Sequence, residues 1–218
     1  MLANQFANNV LMRLVSGTWV FDDDRDEGRM EQAARLMAHL SGRGAPLLAK
    51  KLIQQRTIPH LADVEVLELG TGTGMVGIVC DKLGAKQVTV TDYHPNVLKN
   101  VAVNLQLNTS RCHVAKLDFI EVAQATDPLW IDKKYPLVIA SDLLYEMEHA
   151  DHLPVAVEKL MIDEFYFMIP LRPTHWQEVQ RFEQRMEQVG LYLRRVEDAE
   201  QEEDEGTVHY RYYEYARK

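Results

Sequence analysis

Cysteine is almost missing from this chain: of 218 residues only Cys80 and Cys112 carry a thiol. One sits in a predicted buried helix and the other in a predicted strand, which is not the pattern of a disulfide framework. That usage fits a reducing compartment, with the cytoplasm as the expected location. No apolar run approaches the ~20 residues that cross a bilayer. The first residues also lack the basic, apolar, small-residue layout of a secretory signal. Met1 to Val20 holds Arg13 and no acid, a trait of mitochondrial presequences, but the Asp22-Asp23-Asp24 run that follows argues against one. Positive charge is scarce too. Lysine and arginine number 24 against 33 acids, leaving a net charge of −9. Without a basic stripe, neither nucleic acid nor an anionic membrane surface is an expected partner. A basic protein segment is the better electrostatic match.

Metal-ligating patterns are equally thin. His149 and His152 are two imidazoles without a third ligand, and read as a solvated helix start. Asp22, Asp24 and Asp26 resemble the opening of a calcium loop, but Glu27 stands at the required glycine and Ala33 at the closing glutamate. No metal is expected.

What the chain does have is glycine at alternate positions after an apolar strand. Val66-Leu67-Glu68-Leu69-Gly70-Thr71-Gly72-Thr73-Gly74 runs from strand through tight turn into a helical pattern. Glycine permits the turn and removes side chains that would keep a ligand away from the backbone. The helix beginning after it offers free N–H groups to an anionic group. A dinucleotide fingerprint fails when started at Gly70. It fits when started at Gly72, through Gly74 and Gly77, with Asp92 at about the expected 20-residue distance. The glycines by themselves leave both readings open.

Hydrophobic residues make up 46% of the chain, which suits one globular domain with a sizeable core. Periodicity predicts helices at Met30–Leu40 and Pro46–Ile53, then strands and helices in alternation. Strands are expected at Val64–Leu69, Gln87–Asp92, Cys112–Leu117, Leu137–Ser141 and Phe165–Ile169, with helices at Met75–Leu83, Pro95–Leu105 and His152–Met161 between them. Thr174 is expected to cap a helix reaching Val189 and stopped by Gly190. Strands Leu191–Val196 and Tyr210–Tyr215 follow without a helix between them, so they should pair antiparallel, with Glu197–Glu205 as a solvated hairpin loop. The fold class is α/β: a doubly wound, mostly parallel sheet ending in an antiparallel hairpin.

Glu68-Leu69-Gly70-Thr71-Gly72-Thr73-Gly74 resembles the first motif of class I S-adenosylmethionine methyltransferases. Ile139-Ala140-Ser141-Asp142-Leu143-Leu144-Tyr145-Glu146 resembles the D-x-x-Y element of methyltransferase family 16, the seven-β-strand protein lysine methyltransferases. The likeness covers about Ala45 to Arg217. It implies a seven-stranded Rossmann-like sheet, S-adenosyl-L-methionine as cofactor, and methyl transfer to a lysine of a protein substrate. Residues 45–218 would be the methyltransferase domain, residues 1–44 an N-terminal helical extension, and the protein a monomer.

Carried over by position, the cofactor-binding residues are Glu68, Gly70, Thr71, Gly72, Gly74, Asp92, Asp118, Phe119 and Ser141. Glu68 would meet the cofactor's ammonium group, Asp92 both ribose hydroxyls, and Phe119 the adenine, standing where the family has tryptophan. Asp142 and Tyr145 are the catalytic residues, one holding the amine and the other walling the lysine channel. Two departures stand out. Ser141 replaces the usual alanine, and Arg43-Gly44 occupy the place of a tryptophan at a helix start. Two other activities stay open: a small-molecule N-methyltransferase on the same fold, and a cofactor-binding scaffold that does not catalyse. The intact Asp142 and Tyr145 count against the scaffold.

Overall fold

Apolar residues alternate along the strands so that successive side chains enter two different cores. Val66 goes to one and Leu67 to the other; Tyr166 and Met168 face the first, Phe165 and Phe167 the second. A strand buried on both sides needs helices on both sides, and these faces are covered accordingly. The computed structural model describes residues 44–55, 61–108, 110–203 and 206–217. The expected helix at Met30–Leu40 and the aspartates at 22–26 lie outside the described residues.

In chain order the elements are α1 (Gly44–Gln55), a 3-10 turn at Leu61–Asp63, β1 (Glu65–Leu69), α2 (Met75–Lys82), β2 (Gln87–Asp92), α3 (Pro95–Leu107), β3 (His113–Lys116), α4 (Phe119–Ala123), β4 (Tyr135–Ser141), α5 (Met147–Leu160), β5 (Met161–Pro170), a 3-10 turn at Pro173–His175, α6 (Trp176–Gln188), β6 (Tyr192–Glu203) and β7 (Gly206–Ala216). The seven strands lie in the order β3-β2-β1-β4-β5-β7-β6. Pairs from β3 through β5 are parallel, while β7 is antiparallel to both of its neighbours. The sheet is thus the doubly wound form the alternation predicts. Its order reverses between β1 and β4, where open α/β sheets place ligands at the carboxyl ends of strands.

Some boundaries differ from expectation for physical reasons. The segment Glu197–Glu203 is strand, not loop: it pairs with Gly206–Tyr212. Glu197 bonds Lys51 of α1, and Asp198 takes both Nε and Nη2 of Arg211 at 2.6 and 2.9 Å. These cations hold both carboxyls below the usual range. Thr174 does not cap α6; its hydroxyl meets Nδ1 of the adjacent His175 at 2.8 Å, and a 3-10 turn precedes the helix. Helix α5 starts at Met147 and keeps Pro154 in its interior. An internal proline costs a helix about 3 kcal/mol. Burial of Ala150, Leu153, Ala156, Val157 and Leu160 on one face offsets it. No described helix is long and apolar enough to cross a membrane.

Candidate active site

The glycine turn opens from the carboxyl end of β1 with three left-handed residues, Gly70 (φ 59°), Gly72 (φ 55°) and Gly74 (φ 84°). At Gly70 both conformation and space demand glycine, since a Cβ would lie 2.2 Å from Leu143 Cδ2. The turn is pinned from three directions. Thr71 N–H donates to Thr91 O at 2.8 Å, Gly74 N–H to Thr71 O at 2.9 Å, and Asn104 Nδ2 to Thr73 O at 2.9 Å. Gly74 then serves as the N-cap residue of α2.

Glu68 finds its polar partners within the chain. Its Oε2 accepts the Thr71 hydroxyl at 2.6 Å and Gly77 N–H, in the first turn of α2, at 3.0 Å. Gly77 makes that approach possible, because a Cβ there would sit 2.3 Å from Val90 and 2.7 Å from Glu68. The third glycine of the dinucleotide-like register therefore has a packing cause. Burial without a full counter-charge pushes the Glu68 carboxyl up to about 7, despite the two donors.

Asp92, buried at the end of β2, accepts His94 N–H at 3.0 Å through Oδ1 and Gly72 N–H at 3.4 Å through Oδ2. It does not cap α3; that place belongs to His94, whose Nδ1 accepts Asn96 N–H at 3.2 Å. An ionised carboxylate has about four acceptor positions, so Asp92 keeps capacity for further donors. After β3, Asp118 caps α4 by accepting Ile120 N–H at 2.9 Å. That cap sets Phe119 as the first residue of the helix, edge-on to His149 with ring centroids 5.5 Å apart.

Ser141 ends β4 and Asp142 follows it. Asp142 is buried and holds φ 54°, a left-handed conformation that costs a non-glycine residue roughly 1–2 kcal/mol. The backbone is held there by Asp142 N–H donating to Met168 O at 3.0 Å. Its Oδ2 accepts the Gly44 N–H at 2.7 Å, so the positive end of α1 faces this carboxylate. A Cβ on Gly44 would fall 2.8–3.0 Å from the carboxyl group. The departure from the family tryptophan at this helix start thus has a structural counterpart: a bare backbone, closed on Asp142.

Tyr145 is half-exposed rather than core. Its backbone N–H donates to His149 Nδ1 at 3.3 Å, its ring stands edge-on to that imidazole, and Arg172 lies 6.0 Å from its centroid. Loss of water and the nearby Asp142 raise its phenol above the ordinary value, with Arg172 opposing, so the hydroxyl stays neutral.

One cavity of about 600 Å³ collects most of these groups. Gly70, Gly72, Asp92, Asp118, Phe119, Ser141, Asp142 and Tyr145 line it; Glu68, Thr71 and Gly74 do not. Glu68 and Thr71 instead shape the turn from beneath. The cavity also takes in His149, Tyr93 and Leu143, which sequence reasoning missed. The paired histidines at the start of α5 were the available signal for His149. Its tie to Phe119 and Tyr145 needed the fold.

Against known sequences, the lysine methyltransferase family matches residues 43–189. The chain belongs to that family. The protein-lysine N-methyltransferase rrg1 of Schizosaccharomyces pombe is 32% identical over 178 residues, covering 76% of this chain and 56% of the relative. The protein-lysine methyltransferase METTL21E of Bos taurus is 32% identical over 111 residues, covering 46% of this chain and 36% of the relative. The chain therefore spans about half, or less, of the length of these curated family relatives. In fold, the magnesium protoporphyrin IX methyltransferase ChlM from Synechocystis PCC 6803 with bound SAH superposes with a TM-score of 0.64 at 15% identity, over 99% of this chain and 95% of that one. This lysine methyltransferase family member therefore shares its sheet architecture with a methyltransferase of very different sequence.

Proposed function

We propose that the protein is an S-adenosyl-L-methionine-dependent protein methyltransferase that modifies a lysine side chain. Residues 45–218 form its methyltransferase domain and residues 1–44 an extension. One observation carries the reading: a single cavity joins the glycine turn and Asp92 at one side to Asp142 and Tyr145 at the other. Bare backbone at Gly70 and Gly72, spare acceptor capacity on Asp92 and the flat face of Phe119 suit a ligand with an amino-acid part, a ribose and an adenine. When bound, that cofactor supplies an electrophilic methyl group.

The acceptor must arrive as a neutral amine, although free lysine titrates near 10.4. Asp142 and Tyr145 address this in different ways. Asp142 is buried, fixed through Gly44, and offers a carboxylate that orients the amine and accepts its hydrogen. The Tyr145 ring, steadied by His149, lines the approach and excludes water, which favours loss of the amine's charge. Both cysteines are free thiols, in keeping with a cytoplasmic enzyme.

The test is transfer of labelled methyl groups from S-adenosylmethionine into a cell lysate with the purified protein. A labelled protein band whose label maps to lysine is expected. Label only in metabolites would replace this reading with the small-molecule one, and no label with the non-catalytic scaffold.

A further inference from the structure

Apart from the cofactor-side cavity, a groove of about 680 Å³ lies between α6 and the outer strand β6. Its floor is apolar: Leu193 and Val196 are each 46% exposed, beside Tyr192 at 39%. Strict alternation would send Leu193 and Val196 to opposite faces. A register shift between Leu193 and Arg195 corrects this, setting Leu193 against Tyr215 and Val196 against Tyr213. The floor is thus a built feature of the strand. Its rim is acidic, with Glu183 and Glu187 from α6 and Asp198 from β6. Arg211 pairs with two of these carboxylates, Asp198 and Glu183. β6 ends the sheet, and no described strand pairs with its outer edge.

We propose that this groove docks an extended, basic segment of the protein substrate, away from the acceptor lysine. The proposal rests on the protein-substrate reading above. Apolar side chains of the segment would cover Leu193 and Val196, while lysine or arginine would meet Glu187 and the rim. The free edge of β6 offers backbone groups to an extended chain. The net charge of −9 favours the same sign of partner.

Fluorescence anisotropy of the full chain with a labelled peptide of alternating lysine and valine tests this. A peptide of alternating glutamate and valine is the control. The lysine peptide should bind at least about tenfold more tightly, with the preference shrinking as salt rises. Val196→Lys and Leu193→Lys, at exposed positions, should each weaken it about tenfold while thermal melting stays wild-type. Glu187→Lys should weaken it severalfold. Equal affinity for the two peptides, or wild-type affinity in folded Val196→Lys, overturns the proposal. A concentration-dependent dimer abolished by Val196→Lys also overturns it, giving the groove to a second copy of the chain. Calorimetric titration with S-adenosylmethionine on the same samples separates the two readings. Intact cofactor binding without peptide binding removes the groove alone, while no cofactor binding to wild type removes the catalytic reading and this partner with it.

Discussion

Around β1 and β2 the buried residues include Glu68, Thr71, Thr89, Thr91 and Asp92, whereas the layer between β5, β7 and α6 is filled by Phe165, Phe167, Phe182, Tyr213 and Tyr215. In the first region helix and strand approach through glycine, and at Gly77 the close approach puts a backbone N–H on the buried Glu68 carboxyl. In the second, rings pack on rings: Phe167 lies 5.1 Å from Phe182, and Tyr213 5.7 Å from Tyr215. Aromatic layers gain stability from area and quadrupole geometry and tolerate no gap. Turns of glycine and buried acid gain little stability and leave donors and acceptors aimed where a ligand can use them. One half of the sheet is a frame, the other carries the candidate site, and one continuous sheet joins them.

If that division holds, substitutions should separate activity from stability. The largest effect is expected at Asp142. Asp142→Ala should lower kcat by roughly 10²–10⁴-fold, the range for a positioned proton-handling group, while cofactor affinity by titration calorimetry changes little. Within the same site, Tyr145→Phe keeps the ring and should retain more activity than Tyr145→Ala. Equal losses would move the function to the hydroxyl and remove the channel-wall account.

Next comes the frame. Phe182 is fully buried and touches Phe167, Tyr213 and Tyr215. Phe182→Ala should cost about 3–5 kcal/mol in urea unfolding, with kcat per folded molecule near wild type well below the melting transition. A comparable loss of kcat in folded protein would merge the two regions. Asp92→Ala should do the reverse. Losing charge-assisted hydrogen bonds of about 1.5–3 kcal/mol each should weaken S-adenosylmethionine binding tenfold or more. Unchanged affinity in a folded variant would withdraw Asp92 from the ligand and leave it a brace for Gly72 and His94.

The smallest and sharpest test is Glu68. Its carboxyl is raised from an ordinary 4.5 to about 7, so between those values the folded state holds a proton that the unfolded state has released. Stability should therefore fall as pH rises through that window and level off above it, by an amount on the order of 3 kcal/mol at most. Glu68→Gln keeps an oxygen for Thr71 and Gly77 and should flatten this slope. Parallel slopes for wild type and variant in urea melts at pH 4.5 and 7.5 would mean Glu68 ionises normally.

Much of this is legible in the sequence alone. Local signals with one physical solution survived: apolar runs alternating with helical periods, the glycine turn after Leu69, and Gly190, which ends α6 with φ 82°. Asp92, Asp142, Tyr145 and Phe119 were identified by motif resemblance, and the fold brings all four to one cavity. What failed or was missed depended on partners distant in sequence. The acids from Glu197 read as a loop because charge normally marks solvent, yet they pair with β7 as strand, with Lys51 on Glu197 and Arg211 on Asp198. Resemblance directs Glu68 to the cofactor's ammonium group, but it gives no hint that Gly77, nine residues on, donates to its carboxyl.

By itself, then, the sequence determined the alternation, the turn chemistry and the family, because these rest on neighbours within a few residues. Only the tertiary structure decided that α1 would close its first N–H on Asp142 across 98 residues, that His149 would tie Phe119 to Tyr145, and that a bulge would turn Leu193 and Val196 to one face. Such contacts form between groups whose separation along the chain carries no pattern, and they exist only once the sheet order has brought those groups together.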